Sequence, residues 1–210
     1  MIRSIQTPHK IMVFTFDDGP DPVHERAIHQ IFKERGYAGK AAFFFVGVNV
    51  QNNPDVCHEM FDHGYEVGNH TMTHSTYSPS GEVREIAPAQ QVLHDVTGVY
   101  PTFFRAAGGT MHPSIDHECE RNGLTYIWTD TDERDSNMPR IPAETINTNL
   151  ARALHPGYIS LRHSGGTHDT TVASMHRAID LVEQAGYHIV SLRDALALRE
   201  DQGRTAGHGS

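Results

Sequence analysis

The sequence predicts an α/β fold on three observations. Short apolar runs of strand length alternate with amphipathic helical segments along the whole chain. The connections between them are short, and the residues able to carry chemistry fall just beyond the apolar runs, where sites on parallel sheets and barrels collect. The 210 residues are 38% hydrophobic and 20% charged, an ordinary globular balance that predicts one domain over 1–200, with a disordered tail over 201–210.

A near-continuous apolar run over 11–16 is the first strand, and it ends at Asp17 and Asp18. A helix follows with Ala27, Ile28, Ile31 and Phe32 on one face and Gly36 as its stop. Residues 41–46 form the next buried strand. Pro54 opens a helix carrying Val56, Met60 and Phe61, Gly64 closes it, and a strand over 65–68 leads to His70 and His74. A helix is expected over 80–96, broken at Pro88, because an interior proline costs about 3 kcal/mol or kinks the helix. Residues 102–104 deliver Arg105, Ser114 caps a helix ending at Gly123, and 124–128 deliver an acidic loop. A helix over 143–154, a strand over 158–162 ending at His163, a helix over 172–185 and a strand over 188–192 complete the pattern.

The run Thr15-Phe16-Asp17-Asp18-Gly19-Pro20 and the downstream His70-Thr71-Met72-Thr73-His74 together read as a hydrolytic metal site. A mononuclear catalytic zinc takes three ligands from His and carboxylate, keeps a position for water, and needs a base beside it. Two adjacent carboxylates supply a ligand and a base. Each half has a plainer explanation: Asp-Asp-Gly-Pro is good turn chemistry, and a chain with 16 histidines can place two of them four apart by accident. The two halves together are far harder to obtain by chance. On a helical turn the four-residue spacing would also put both rings on one face.

At these residues the chain resembles the polysaccharide deacetylases with a NodB homology domain, carbohydrate esterase family 4. The first motif is matched by Thr15 to Pro20 and the second by His70 to His74. In the third, Arg105-Ala106-Ala107-Gly108-Gly109 stands where the family has Arg-Pro-Pro-Tyr-Gly. In the fourth, Asp132-Glu133-Arg134-Asp135-Ser136 stands where Asp-x-x-Asp-Trp is usual, and Leu161-Arg162-His163 matches the fifth. The resemblance implies a distorted, TIM-like (β/α) barrel of about seven strands, one NodB-type domain, and removal of the N-acetyl group from a GlcNAc-containing oligo- or polysaccharide or a related acetylated sugar.

It also implies roles. Asp18, His70 and His74 would ligate one divalent ion, zinc, with cobalt or another ion as a substitute. Asp17 would be the base and His163 the acid. Arg105 would orient Asp17 and be held in turn by Asp132, or failing that by Asp135. Gly108 would offer its N–H to the oxyanion, and Leu161 would line the acetyl-methyl pocket. With Gly108 and Ser136 in place of Tyr and Trp, the cleft is expected to be wider and to lack aromatic walls. An inactive relative would have no reason to keep both Asp17 and His163.

The net charge of −9 with His neutral argues against nucleic acid or an anionic membrane surface as a partner, and suits a neutral acetylated carbohydrate. No apolar run reaches the roughly 20 residues of a transmembrane helix, and residues 1–10 lack the apolar core of a secretory signal. The chain as written therefore reads as cytoplasmic, or as a secreted protein without its leader. Cys57 and Cys119, with no CxxC spacing, read as buried free thiols. Three other activities compete: an O-acetyl carbohydrate esterase, an iron oxidase using the same two His and one carboxylate, and a non-catalytic sugar-binding relative.

Overall fold

The computed structural model describes residues 1–75, 77–129, 131–137 and 140–199, so the expected tail over 201–210 lies outside the described residues. Its frame is a parallel sheet in the order β5-β4-β3-β2-β1-β6, made of β1 Ile11–Asp17, β2 Ala41–Phe45, β3 Glu66–Asn69, β4 Phe103–Phe104, β5 Thr125–Tyr126 and β6 Tyr158–Ile159. Two further short strands, β7 Arg162–His163 and β8 His188–Ile189, also pair with β1. The sheet curls into a distorted (β/α) barrel, as expected.

The alternation of side chains along β1 explains how the site is aimed. Met12, Phe14 and Phe16 pack outward against α1 His24–Glu34 and α7 Asp169–Gln184, in a core that also takes Phe32, Phe43, Phe45, Ala178 and Ile179. Ile11 and Val13 belong to a separate cluster with Ala42, Phe44, Phe103, Ile127 and Ile159, which fills the barrel interior. Thr15 and Asp17 continue that inward row toward the mouth.

The seam between β5 and β6 is covered by the N-terminal segment. Ile2 N–H donates to Tyr126 O (2.8 Å), Trp128 N–H to Ile2 O (2.7 Å) and Ile5 N–H to Gly157 O (2.8 Å). Residues 2–5 thus strap the two strands together, and Ile5 is buried in the interior cluster.

Several local expectations are corrected. The helix α4, Pro79–Thr97, runs through Pro88 without a break. Pro88 and Arg84 lie on its exposed side, so the carbonyl that proline leaves without a donor faces water, while Ile86, Ala89 and Leu93 pack the opposite side. A short helix α2, Gly47–Asn52, precedes α3, Pro54–Asp62. The cap of α5, Pro113–Arg121, is the His112 side chain, which accepts from Ser114 N–H, and not Ser114 itself. The strand expected over 158–162 is split into β6 and β7. The helix α6 spans Ala143–Ala153, and the strand expected over 188–192 is only β8, with α8, Leu192–Ala197, starting on its last expected residue. Among the described residues no helix is long and apolar enough to cross a membrane, and Cys57 and Cys119 are free and buried.

Gly157 holds the strap. Its φ is +76°, and a Cβ there would fall on the Ile5 carbonyl. Gly157→Ala is expected to lose the roughly 1–2 kcal/mol of a left-handed non-glycine residue and, in addition, the contacts of residues 2–5. Gly123→Ala, at φ +66° with nothing within 4 Å, should show the backbone cost alone. Urea unfolding of the two variants checks this, and equal losses would mean that the strap does not depend on Gly157.

Candidate active site

The mouth of the barrel gathers every residue singled out from the sequence. A cleft of about 490 Å³ is lined by Asp17, Asp18, His70, His74, Gly108, Asp132, Leu161 and His163, together with Tyr77 and Trp128. A larger cavity of about 690 Å³ lies near the start of β3 and α8 and contains none of these site residues.

Asp18, His70 and His74 converge within 4.8 Å of one another. Asp18 Oδ1 is 3.3 Å from the Nε2 atoms of both histidines. It is buried and accepts no hydrogen bond among the described residues. His70 Nδ1–H donates to Arg105 O (2.8 Å), which turns Nε2 toward the group and makes its lone pair available to a cation. Burial alone would lower the His70 imidazole, but the Asp17 and Asp18 charges raise it above its ordinary value. Burial also opposes ionisation of Asp18, yet His70, His163 and His74 hold it well below the usual carboxylate range. An unpartnered buried carboxylate oxygen, two imidazoles and a field that favours positive charge fit a divalent cation, and the N₂O donor set suits zinc.

The two histidines are not on a helix. Thr71 and His74 have φ of +68° and +53°, and Asp18 has +73°, conformations unfavourable for side chains of these types. The surroundings impose them. Asn69 Oδ1 accepts from Thr71 N–H (2.9 Å), and Asn69 Nδ2 is tied to Ile86 O and Gln90 Oε1. The first amides of α2 donate to the same loop, Gly47 N to Thr71 O (3.0 Å) and Val48 N to Met72 O (2.9 Å). The four-residue spacing therefore works through a braced loop, not through helical periodicity.

Asp17 is almost fully buried, with Oδ1 accepting from Arg105 Nη1 (2.8 Å) and Oδ2 3.8 Å from His70 Nε2. Arg105 has no exposed surface. It also donates from Nη1 to Thr15 Oγ1 (2.7 Å) and from Nε to Ile127 O (3.3 Å), and lies over the Phe44 ring at 4.3 Å.

The expected partnership of Arg105 with the acidic loop is overturned. Asp132 is exposed at the cleft rim and accepts from Arg134 N–H in its own turn. The alternative, Asp135, holds His163 instead. Its Oδ2 accepts from His163 N–H and its Oδ1 from His163 Nδ1–H, both at 2.7 Å, while Thr171 Oγ1 donates to Oδ2 at 2.8 Å. Glu133 brings Asp135 there. Buried beneath β6 and β7, it accepts from Ser160 Oγ (2.6 Å) and Arg162 Nε (2.9 Å). The acidic loop thus buries Glu133 and Asp135 and exposes Asp132 and Arg134.

Two rings that sequence reasoning passed over line the cleft, so the expectation of missing aromatic walls is corrected. A Cβ on Gly108 (φ +58°) would lie 2.8 Å from Tyr77 Cδ1, and one on Gly109 (φ +76°) would lie 2.6 Å from Trp128 Cζ2. The signal was the Gly-Gly pair itself. In the same loop Ala107 N–H donates to buried Glu82 Oε2 (3.1 Å) and Gly109 N–H to Ala106 O (3.3 Å), which leaves the Gly108 amide outside these bonds.

A (β/α) barrel with a two-histidine, one-carboxylate centre flanked by a separate carboxylate and a separate histidine has the layout of a metal-site hydrolase. The polysaccharide deacetylase family model matches residues 4–127, and the chain belongs to that family. A peptidoglycan-N-acetylglucosamine deacetylase of Bacillus cereus is 30% identical over 193 residues, covering 89% of this chain and 88% of that protein. A chitooligosaccharide deacetylase of Sinorhizobium fredii is 29% identical over 85% of this chain and 88% of its own length. Among solved structures, a peptidoglycan N-acetylglucosamine deacetylase superposes with a TM-score of 0.85 at 23% identity, covering 96% of this chain and 94% of that one. A carbohydrate esterase family 4 pseudoenzyme of Bacillus anthracis superposes with a TM-score of 0.84 at 21% identity, covering 94% of this chain and 69% of that one.

The Asp135–His163 pair predicts a pH window of stability. Burial works against the charged form of each, and their mutual bond prevails: His163 is raised from 6.5 to about 9, and Asp135 is lowered from 3.8. The histidine's contribution is complete below 6.5 and is lost as pH rises through about 9. The carboxylate's contribution is complete above 3.8 and is lost at lower pH. Asp135→Asn should therefore cost most stability between those two ordinary values, 3.8 and 6.5, and least above about 9, as read from denaturant unfolding across pH.

Proposed function

We propose that this chain is a metal-dependent deacetylase that hydrolyses the N-acetyl group of a GlcNAc-containing oligo- or polysaccharide. One observation carries the reading: Asp17 and His163 line the same cleft as the Asp18–His70–His74 group, and each has its own fixed partner, Arg105 and Asp135. A binding module has no need of that arrangement, and an oxidase has no use for the spare carboxylate. The names of the relatives point to the same chemistry.

Asp18, His70 and His74 would hold a divalent ion such as zinc, which would supply Lewis-acid polarisation of the acetyl carbonyl and make water easier to deprotonate. Asp17, with Oδ1 tied to Arg105, receives the proton of the attacking water on Oδ2. Arg105 acts through Asp17 by fixing the direction of that oxygen. The Gly108 N–H stabilises the oxyanion that develops on the acetyl carbonyl oxygen when water adds to its carbon. His163, kept protonated by Asp135, delivers the proton to the departing amine, with Nε2 as the nitrogen not engaged by Asp135. Leu161, buried at the break between β6 and β7, lines the pocket for the acetyl methyl.

Acetate release from a panel of N- and O-acetylated sugars, with and without a chelator, tests the reading. N-acetylated glucosamine oligomers should be turned over and chelation should abolish turnover; faster release from O-acetylated sugars would make the chain an esterase. Asp18→Ala, His70→Ala and His74→Ala should lose the metal, whereas Asp17→Asn should keep about one ion per chain and lose roughly 10²–10⁴ in kcat. An empty site in Asp17→Asn, by elemental analysis, would show that the two carboxylates do not divide the work in this way. The alkaline limb of the kcat/KM profile should fall near the His163 value of about 9. Asp135→Asn should move that limb to lower pH, because it removes the anion that stabilises the imidazolium.

A further inference from the structure

Gly108 and Gly109 are glycine in the one loop where two rings from elsewhere need the space. Tyr77, on the segment that follows His74, and Trp128, just beyond β5, lie against these glycines from outside the loop. Each position has a left-handed backbone, and each hypothetical Cβ would strike a ring rather than a flexible chain end. The main chain at each ring is held. Trp128 N–H is bound to Ile2 O in the N-terminal strap, and Tyr77 O accepts from Thr110 Oγ1 in the glycine loop (3.4 Å). The Tyr77 ring stands edge-on to His74, with centroids 5.9 Å apart and planes at 82°. Yet it is 62% exposed, a large apolar face turned to the solvent of a cleft.

We propose that Tyr77 and Trp128 form the aromatic platform on which the pyranose rings of the acetylated substrate stack, with Tyr77 the residue that sets affinity for the sugar next to the reacting acetyl group. This deepens the deacetylase reading and rests on it. A pyranose presents a face of C–H groups that packs on an aromatic plane, and the hydroxyls at its rim stay hydrogen-bonded to water or to the cleft. Tyr77 stands beside metal-ligand candidate His74, so a sugar over its ring lies next to the point where the acetyl carbonyl is attacked. The glycine pair is what admits the rings: a side chain at Gly108 would displace Tyr77.

The sequence contains a single tryptophan, so intrinsic emission reports on Trp128 alone. The experiment titrates the N-acetylglucosamine tetramer into zinc-loaded protein carrying Asp17→Asn, in which the ligand is consumed slowly, and reads Trp emission. A saturable change is expected. Adding Tyr77→Ala should weaken Kd about tenfold, whereas Tyr77→Phe, which keeps the ring, should bind within twofold of the parent. Gly108→Ala should weaken binding like Tyr77→Ala, because it moves the ring without removing it. An unchanged Kd in Tyr77→Ala, or an emission that does not respond to the tetramer at all, overturns the platform. If the unmutated enzyme still releases acetate from the tetramer in that case, the deacetylase reading survives. No binding and no acetate release from any acetylated sugar overturns both.

Discussion

The mouth of this barrel depends on one buried cation. Arg105 leaves the end of β4, crosses the interior and meets Asp17 and Thr15 on β1, with no part of it exposed to solvent. A guanidinium without water is costly unless its charge is matched, and Asp17 is the carboxylate that matches it. The same contact gives Asp17 a single orientation. Because Arg105 O also accepts from His70 Nδ1–H, this one residue sets both the direction of the proposed base and the tautomer of a proposed ligand. Substitution at Arg105 would therefore disturb packing, charge and ligand geometry together.

Around that pair the protein holds strained backbone in place. Asp18, Thr71 and His74 all sit in the left-handed region, which a non-glycine residue occupies only when its neighbours over-determine it. Asn69 and the first turn of α2 do so for the histidine loop, and the Asp17–Arg105 bond anchors the residue next to Asp18. The Asp18, His70 and His74 atoms reach one point because rigid strand ends deliver them and short loops bend the last few ångströms. The His163 side follows the same logic: buried Glu133 pins the loop, and Asp135 then reaches His163.

The walls of the cleft come from an unexpected direction. The motif resemblance led to large rings being expected at Gly108 and Ser136, and the rings that line this cleft come from Tyr77 and Trp128. A ring can enter from a neighbouring segment only if the backbone it crosses carries no side chain. The Gly108–Gly109 pair meets that condition, so Tyr77 and Trp128 wall the cleft from outside the loop.

What the sequence determined by itself was local. Hydrophobic alternation placed Ile11 to Asp17 on a strand with Asp17 at its end, and Gly36 and Gly64 closed their helices close to where they do in the structure. The motifs named Asp17, Asp18, His70, His74, Arg105 and His163, all of which meet at one mouth. Contacts between distant segments were not legible. Asp132 and Asp135 are three residues apart and chemically identical, so no pattern could say which reaches inward; burial of Glu133 on Arg162 decides it. Pro88 looked like a helix break because propensity is summed along the chain, whereas packing of Ile86, Ala89 and Leu93 acts across it. Tyr77 and Trp128 were unreadable for the same reason: strand spacing and the cost of burying unpaired charge act on neighbours in sequence and on single residues, but which ring fills a space left by a glycine is settled only when the whole barrel closes.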